Sequence, residues 1–397
     1  MPLADNQSNS FVYAIWSGAH ILFLASASAR QKAIVSDKHG SISLRDTAMP
    51  KPRPDQILVK VIAVAQNPSD WMSAQKGRLE GAIVGCDFSG IVQYIGPEVP
   101  VGLRTIGERV AGFVHGGSKN GSFAEYLTTA GDFVVHVPDD WTYEDASQLG
   151  LAPYTALQAL YESLDGLPLP LSTEAKANTE PLLVYGGSSS VGLFAIQFAK
   201  LAGFQVIATC SKKNFDTVQS FGADEVFDHN DPYMVKRIKE ATNGQLKLAV
   251  DCISQASTPQ LVSDSLSDAG GHIASLLPYD SPREGVKVNF NLIYEWIGES
   301  FEHPWPHVGS FQQKERGRKF TVLLSDLLKT GQLRPNPIRI FSDGLASVAE
   351  GFELMLAGKA SITMNYAVSR RMTLSRYCRL VARSWYTAFA TPLQPRY

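Results

Sequence analysis

LLVYGGSSSVGLFAIQFAK, residues 182–200, contains the strongest structural signal of this chain. An apolar run typical of a buried strand leads into a turn of glycine and serine, and a stretch with helical spacing follows. Such a turn points backbone N–H groups and the positive end of a helix dipole at an anion. The segment therefore predicts a diphosphate-binding turn, with an ordinary strand–helix connection as the alternative. The residues assigned to the diphosphate are Ser188, Ser189, Ser190 and Val191.

A second polar segment follows the next strand-like run, residues 205–210. Enzymes that use NAD carry an acidic residue near the end of this strand, where it binds the ribose hydroxyls. This chain has a hydroxyl and two ammonium groups there, which suit a ribose that carries a phosphate. The sequence therefore predicts NADPH as the cofactor, and an exposed helix start is the alternative interpretation of the lysines. The contacts are assigned to Ser211, Lys212, Lys213 and Asn214.

Strand and helix patterns alternate from residue 182 to about residue 276. Alternating βαβ units predict a doubly wound parallel sheet of the Rossmann type, with the cofactor at the carboxyl ends of its strands. Before this region, many short strand-like segments separated by Gly, Pro and Asn extend to about residue 138. They indicate a β-rich module with barrel-like spacing. The fold class is therefore α/β, with two domains.

The bulk properties exclude several classes of function. The chain has 397 residues, a net charge of −2 and four scattered cysteines. It lacks the basic stripe that nucleic-acid binding requires, and the cysteines fit reduced thiols in the cytoplasm. Residues 11–29 are largely apolar, but they are interrupted by polar residues and preceded by no Lys or Arg. We therefore expect neither a membrane span nor a signal peptide, and interpret residues 1–30 as an extension outside the fold or a gene-model artefact.

Several motifs occur in an order that resembles the medium-chain dehydrogenase/reductase superfamily. They are NPSD at residues 67–70, GCDFSGIV at 85–92, GERVAGF at 107–113 and GSFAEY at 121–126. Three further motifs resemble the fungal trans-acting enoyl reductases, which serve polyketide synthases and polyketide–peptide hybrid synthases. These are CSKKNFD at residues 210–216, VFD at 226–228 and DCI at 251–253.

The resemblance implies a division of the chain. A GroES-like β-rich domain would comprise residues 31–155 and 338–368, and an NADPH-binding Rossmann domain residues 156–337. The family normally ends on a strand of Lys-Leu-Val type, whereas this chain has ITMNY at residues 362–366. An atypical tail, residues 369–397, follows.

The resemblance also assigns further residues to the cofactor. In the family, the NPSD segment reaches the nicotinamide end, although these four turn-forming residues could merely close a loop. A partly solvated Asp70 would be ionised at neutral pH and is therefore a weak candidate for proton donor. His229 lies where relatives have an aromatic residue near the adenosine, with a surface histidine as the alternative. The complete additional set is Asn67, Pro68, Ser69, Asp70, His229, Leu276 and Leu277.

Two segments are expected to line the substrate cleft. The first segment, residues 153–155, faces this cleft in the family, although Tyr154 could instead be a core aromatic. The second segment, residues 293–297, is apolar and aromatic, as a groove for a polyketide chain would be. Core packing or subunit contact is the alternative. The residues assigned to the substrate are Pro153, Tyr154, Thr155, Ile293 and Trp296.

Zinc chemistry is the main alternative within the superfamily. Zinc alcohol dehydrogenases carry a Gly-His-Glu motif and a closely spaced four-cysteine lobe, whereas this chain has Gly85-Cys86-Asp87 and no clustered cysteines. We therefore expect no metal and interpret Cys86 as a packed core thiol.

The resemblance implies a monomer that reduces the α,β-unsaturated thioester of a polyketide held on a synthase's acyl carrier domain. The sequence does not identify the proton donor. A free-standing quinone or enone reductase, a non-catalytic NADPH-binding protein and an inactive gene product stay open as alternatives.

Overall fold

The computed structural model describes residues 30–75, 80–164, 166–302, 306–357 and 363–368. Apart from its last residue, the predicted extension over residues 1–30 lies outside the described residues. The predicted tail over residues 369–397 also lies outside them.

The first part of the chain forms a β-rich domain. Its long third strand pairs antiparallel with the fourth and sixth strands, and its apolar side chains alternate into a core of their own. The elements are β1 Arg30–Ser36, β2 Ile42–Ala48, β3 Gln56–Gln66, α1 Pro68–Gln75, β4 Asp87–Ile95, β5 Arg109–Phe113, β6 Tyr126–Ala130 and β7 Val134–His136.

Short helices lead from this domain to the second sheet. They are α2 Tyr143–Ala146, α3 Leu151–Gln158, a π-helical turn Ala159–Ser163 and α4 Thr173–Ala177. The helical spacing of residues 146–164 predicts a helix, and α3 with the π-helical turn confirms it for residues 151–163. The predicted domain boundary between residues 155 and 156 falls inside α3, so the division at this point stays a prediction.

A six-stranded parallel sheet forms the second domain. Its elements are β8 Pro181–Tyr185, α5 Ser190–Leu201, β9 Gln205–Cys210, α6 Phe215–Ser220, β10 Glu225–Asp228, α7 Met234–Ala241, β11 Leu248–Asp251, α8 Thr258–Ser265, β12 Gly271–Ser275 and β13 Val286–Phe290. The strand order β10-β9-β8-β11-β12-β13 is that of a Rossmann fold, as predicted. Only β13 was missed, because this edge strand mixes apolar and polar residues and none of its five residues is fully buried.

The last described elements return to the β-rich domain. They are α9 Phe311–Lys329, β14 Ile338–Phe341, α10 Val348–Leu356 and β15 Thr363–Ala367. Strand β15 pairs parallel with β14 and antiparallel with β3, so residues 363–366 of the unusual ITMNY segment still supply a strand. The resulting sheet has the order β14-β15-β3-β4-β5-β7, with β6 also on β3.

One hydrophobic core joins the two domains. Phe113 and Phe133 of the β-rich domain pack against Tyr154 of α3, with ring centroids 5.2 and 5.5 Å away. The same core continues through α5 to the parallel sheet. The two domains are thereby packed against each other through one continuous core. Within the described part of the chain, every helix is too short or too polar to span a bilayer.

Candidate active site

The predicted diphosphate turn connects β8 to α5. The Ser189 hydroxyl accepts a hydrogen bond from Gly192 N at 3.0 Å and caps the helix. Gly186 has a φ of +80°, and a Cβ on Gly192 would lie 2.4 Å from the carbonyl oxygen of Gly186. The two glycines therefore permit the close turn, and Ser189 serves as a cap where dinucleotide folds usually have glycine. Ser188, Ser190 and Val191 are half-buried at this helix start.

The segment assigned to the ribose phosphate lies beside this turn. Gly187 N donates to the carbonyl oxygen of Thr209 in β9 at 2.8 Å, so the end of β9 adjoins the turn. Lys212 and Lys213 are exposed in a short helical turn after β9, whereas Ser211 and Asn214 are half-buried. Lys212 Nζ lies 3.9 Å from Asp228 Oδ2, but the lysine side chain is 80% exposed, so this pair is weak.

The remaining residues of this domain that are assigned to the cofactor lie at the same sheet edge. His229 is exposed, and its backbone N–H donates to the carbonyl oxygen of Cys210 at 3.2 Å. Leu276 and Leu277 follow β12 and are half-buried. The structure therefore brings these residues to the edge that carries the turn, and their contact with a cofactor stays a prediction.

These residues fit a nicotinamide dinucleotide. The first turn of α5 has no acidic residue that would repel a diphosphate. The segment after β9 offers two exposed ammonium groups and no carboxylate. A diphosphate at the helix start and a phosphorylated ribose beside the lysines would each meet favourable charge.

The NPSD segment begins helix α1 and turns inward. Asp70 Oδ2 accepts a hydrogen bond from Asn67 N at 2.7 Å. Asp70 is only 1% exposed, so the expectation of a partly solvated carboxylate was wrong. Burial raises the pKa of this carboxyl to about 7, because the charged form loses its hydration. Pro68 is exposed, and Asn67 and Ser69 are half-buried.

Two residues that the sequence did not assign to the site adjoin Asp70. Cys86 is 1% exposed, as expected of a packed thiol, and its Sγ lies 3.3 Å from the Tyr294 hydroxyl. Burial and the neighbouring Asp70 charge raise the pKa of Cys86 well above its usual range. Burial also raises the pKa of Tyr294 well above its usual range. No sequence pattern could have paired Cys86 with Tyr294, because 208 positions separate them.

Asp87 is a second buried carboxyl at this place. Its Oδ1 accepts a hydrogen bond from Leu151 N at 2.7 Å, which ties β4 to the start of α3. Burial raises its pKa well above the usual range, and the Asn67 side chain opposes this rise. A Cβ on Gly150 would lie 2.1 Å from the same oxygen, so this helix start has room only for glycine.

Comparisons with known proteins identify the family. The family model of the alcohol dehydrogenase GroES-like domain matches residues 53–139, and that of zinc-binding dehydrogenases matches residues 190–276. Trans-enoyl reductase ACTTS2 of Alternaria alternata is 37% identical over 83% of this chain and 96% of its own length. The chain belongs to the trans-enoyl reductases. Trans-enoyl reductase buaC of Petromyces alliaceus is 35% identical over 83% of this chain and 95% of its own length.

Solved structures share the fold of this trans-enoyl reductase. The CurK enoyl reductase superposes with a TM-score of 0.69 at 17% identity, over 85% of this chain and 99% of the CurK chain. The quinone oxidoreductase from Coxiella burnetii has a TM-score of 0.65 at 23% identity, over 86% of this chain and all of its own. The predicted pairing of a GroES-like and a Rossmann domain is thereby confirmed.

A cavity of about 750 Å³ lies between the two domains of this trans-enoyl reductase. His115 lines this cavity. Its ring lies edge-on to the ring of Tyr294 and stacks on that of Phe301, with ring centroids 4.5 and 5.0 Å apart. The apolar side chains that line the cavity are mainly Phe113, Val114, Ala130, Phe133, Ile297 and Phe301. The cavity therefore combines an aromatic and aliphatic surface close to the Tyr294 and Cys86 pair with a polar part that includes charged side chains.

The substrate residues assigned from the sequence are mostly packed inside the protein. Tyr154 is fully buried with its hydroxyl 2.8 Å from Thr321 Oγ1, and Trp296 is fully buried with Nε1 donating to Glu162 Oε2 at 2.6 Å. Both side chains therefore agree with the packing alternative. Substrate contact by Pro153, Thr155 and Ile293, of which only Thr155 is partly exposed, stays a prediction.

The described residues contain no group of three or more His, Cys, Asp and Glu side chains placed to hold a metal ion. Cys86 occupies the position of the missing histidine of the zinc motif, and its neighbour is the Tyr294 phenol. That the enzyme works without a metal stays a prediction.

Proposed function

We propose that this protein is an NADPH-dependent enoyl reductase that acts in trans on the α,β-unsaturated thioester of a polyketide. The substrate would be held on the acyl carrier domain of a polyketide synthase or a hybrid synthase. The observation that carries the proposal is the similarity to curated trans-enoyl reductases over nearly their whole length. The Rossmann turn and the nearby apolar cavity support it.

The preference for NADPH over NADH is argued from charge. Two exposed lysines and a serine follow β9 at the place where an NAD enzyme has an acid. Ammonium groups favour a phosphorylated ribose, because a charge-assisted hydrogen bond is about twice as strong as a neutral one. The bound cofactor supplies a hydride. The helix start of α5 would hold its diphosphate, and the NPSD segment would lie at its nicotinamide end.

The apolar cavity would hold the acyl chain. Its aromatic and aliphatic residues would contact the acyl chain beside the buried pair of Tyr294 and Cys86. The rest of the lining is polar and includes the charged residues Lys51, Arg53, Glu299, Glu302 and Lys314. Exclusion of water from this region would strengthen hydrogen bonds to the enolate oxygen that forms when hydride reaches the β-carbon. The protein's contribution is therefore orientation of the acyl chain and stabilisation of enolate charge.

The partner and the assembly state follow from the same proposal. The enzyme would work as a monomer in the cytoplasm and meet the synthase through its acyl carrier domain. Sedimentation of the purified protein over a range of concentrations tests the monomer, and a concentration-dependent dimer would contradict it.

NADPH absorbance tests the activity itself. We expect oxidation of NADPH with enoyl thioesters, faster when the thioester is carried on an acyl carrier domain than when it is free. Faster turnover of small quinones would instead identify a quinone reductase. Tight cofactor binding without oxidation by any enoyl thioester would identify a non-catalytic binding protein.

A further inference from the structure

Asp70, Cys86 and Tyr294 come from three separate parts of the chain and meet in the interior. They lie on α1, just before β4, and in the short helix Ile293–Ile297. We propose that these three side chains form a proton-transfer chain that ends at the α-carbon of the substrate. This inference rests on the proposed enoyl reduction and assigns the proton donor that the sequence did not identify.

The outer part of the chain is the contact between Cys86 and Tyr294. Their Sγ and Oη atoms are 3.3 Å apart, and either atom can be the donor. If the thiol donates, the phenol proton is available to another acceptor. The Ser69 hydroxyl lowers the pKa of Tyr294, because it can donate a hydrogen bond to the phenolate that forms when the phenol loses its proton. Tyr294 is 8% exposed and Cys86 only 1%, so the phenol is the more accessible end.

The inner part of the chain is the contact between Asp70 and Cys86. Asp70 Oδ2 is occupied by the backbone N–H of Asn67. Asp70 Oδ1 makes no hydrogen bond of ordinary length with any described residue, although it is buried. The groups beside this carboxyl that lower its pKa further are the thiol and the backbone N–H of Cys86. The free oxygen of Asp70 therefore has the Cys86 thiol as its natural partner.

Asp70 holds the proton that the chain would deliver toward the cleft. Burial raises the pKa of Asp70 to about 7, so a large fraction of this carboxyl is protonated at neutral pH. Burial raises the pKa of Cys86 and of Tyr294 well above their usual ranges. Asp70 is therefore the proton source at the inner end of the chain. Once the phenol loses its proton, the Cys86 thiol 3.3 Å away can replace it, and the Asp70 carboxyl can in turn replace the proton of the thiol.

The proposed reaction balances. Hydride from NADPH forms a C–H bond at the β-carbon, and the electron pair of the C=C bond moves onto the α-carbon and the thioester oxygen. The α-carbon then takes the proton of Tyr294 Oη. The phenolate takes a proton from the Cys86 thiol, and the thiolate takes one from the Asp70 carboxyl. After the product leaves, a proton from solvent enters at Tyr294, the more exposed end, and passes through Cys86 back to Asp70, so each turnover consumes one hydride and one proton.

Other titratable groups face this chain and would influence its pH dependence. Asp87 raises the pKa of Cys86 through its charge, and Asp70 raises that of Tyr366. His115 lies edge-on to the Tyr294 ring at 4.5 Å. A pH profile of the wild type alone would therefore be ambiguous, so the test compares single variants.

Tyr294→Phe removes the terminal donor and keeps the ring. We expect kcat to fall about a hundredfold with little change in the KM for NADPH, as for loss of a general acid. In deuterium oxide, the wild type should place deuterium on one face of the α-carbon and the variant on both. Tyr161→Phe is the matched control, because the Tyr161 hydroxyl is buried and has no hydrogen-bond partner among the described residues. A Tyr294→Phe enzyme with unchanged kcat and single-face labelling would overturn the proposal.

An infrared measurement tests the chain without turnover or cofactor. The S–H stretch of Cys86 should move to higher frequency in Tyr294→Phe, because the thiol loses its acceptor. A carboxylic acid band that titrates near pH 7 should be present in the wild type and absent in Asp70→Asn. If neither band responds, the chain does not exist, whatever the activity. If the bands respond but no enoyl thioester is reduced, the proposed function fails while the hydrogen-bonded chain stands.

Discussion

Gln148 and Asn336 are joined by a reciprocal pair of hydrogen bonds, although 188 positions separate them. Asn336 N donates to Gln148 Oε1 at 2.9 Å, and Gln148 Nε2 donates to the carbonyl oxygen of Asn336 at 3.2 Å. The Asn336 amide also donates to the carbonyl oxygen of Ser190 at 3.1 Å. This buried pair therefore fixes the chain that returns to the β-rich domain against the start of α5.

Gln148→Ala should destabilise the protein through this pair. The substitution leaves the buried N–H and carbonyl groups of Asn336 without partners, which costs about 2 kcal/mol in the free energy of unfolding. Urea unfolding followed by circular dichroism measures the loss. Gln332→Ala, at an exposed glutamine, is the control and should change the midpoint very little. Equal midpoints for the two variants would show that the pair is not structurally important.

Replacement of Lys212 and Lys213 by alanine should separate the two nicotinamide cofactors. Loss of charge-assisted contacts to the ribose phosphate should raise the KM for NADPH about tenfold or more and leave that for NADH nearly unchanged. The control is Lys236→Ala, at an exposed lysine on α7 that lies 3.7 Å from Glu240. Equal effects on both cofactors would reject the phosphate contact.

Asp70→Asn should make stability less dependent on pH. The folded pKa of about 7 lies above the ordinary value of 3.8, so the folded state binds a proton that the unfolded state has released between these values. The free energy of unfolding of the wild type therefore falls as the pH rises from about 4 to 7, by about 3 kcal/mol through this group. In thermal unfolding at pH 5 and pH 8, the midpoint of the variant should rise relative to that of the wild type at the higher pH. Asp139→Asn, at an exposed carboxyl, should show no such gain.

Ala130→Phe should narrow the apolar cavity from the end of β6. The ring would occupy space that a long acyl chain needs, so the ratio of kcat/KM for a twelve-carbon to a four-carbon enoyl thioester should fall about tenfold or more. Ala357→Phe, at an exposed position, is the control. A ratio that is the same in both variants would show that the chain binds elsewhere.

The sequence predicts the local parts of this protein well. The strands and helices of the parallel sheet follow from hydrophobic periodicity, and the turn between β8 and α5 follows from its glycines. Side-chain environments that depend on distant contacts could not be predicted. Asp70 is buried beside Cys86, which is distant in sequence, and nothing in the NPSD segment indicates this.

The aromatic residues illustrate the same difference. A tyrosine in a helix and a tryptophan in an apolar segment suit a groove and a core equally well. Tyr154 and Trp296 belong to the core because Thr321 and Glu162 satisfy their polar atoms. Tyr294 lies two positions before Trp296, yet its hydroxyl reaches the Cys86 thiol at the candidate site. Only the packing of the two domains determines that Tyr154 and Trp296 lie in the core and that Tyr294 lies at the candidate site.

The most direct measurement combines NADPH labelled with deuterium at its transferable position with an enoyl thioester on an acyl carrier domain of the partner synthase. Mass spectrometry of the carrier-bound product should show a saturated acyl chain with one deuterium at the β-carbon. An unchanged enoyl thioester, with the labelled cofactor bound but not oxidised, would contradict the assignment of this protein as an enoyl reductase.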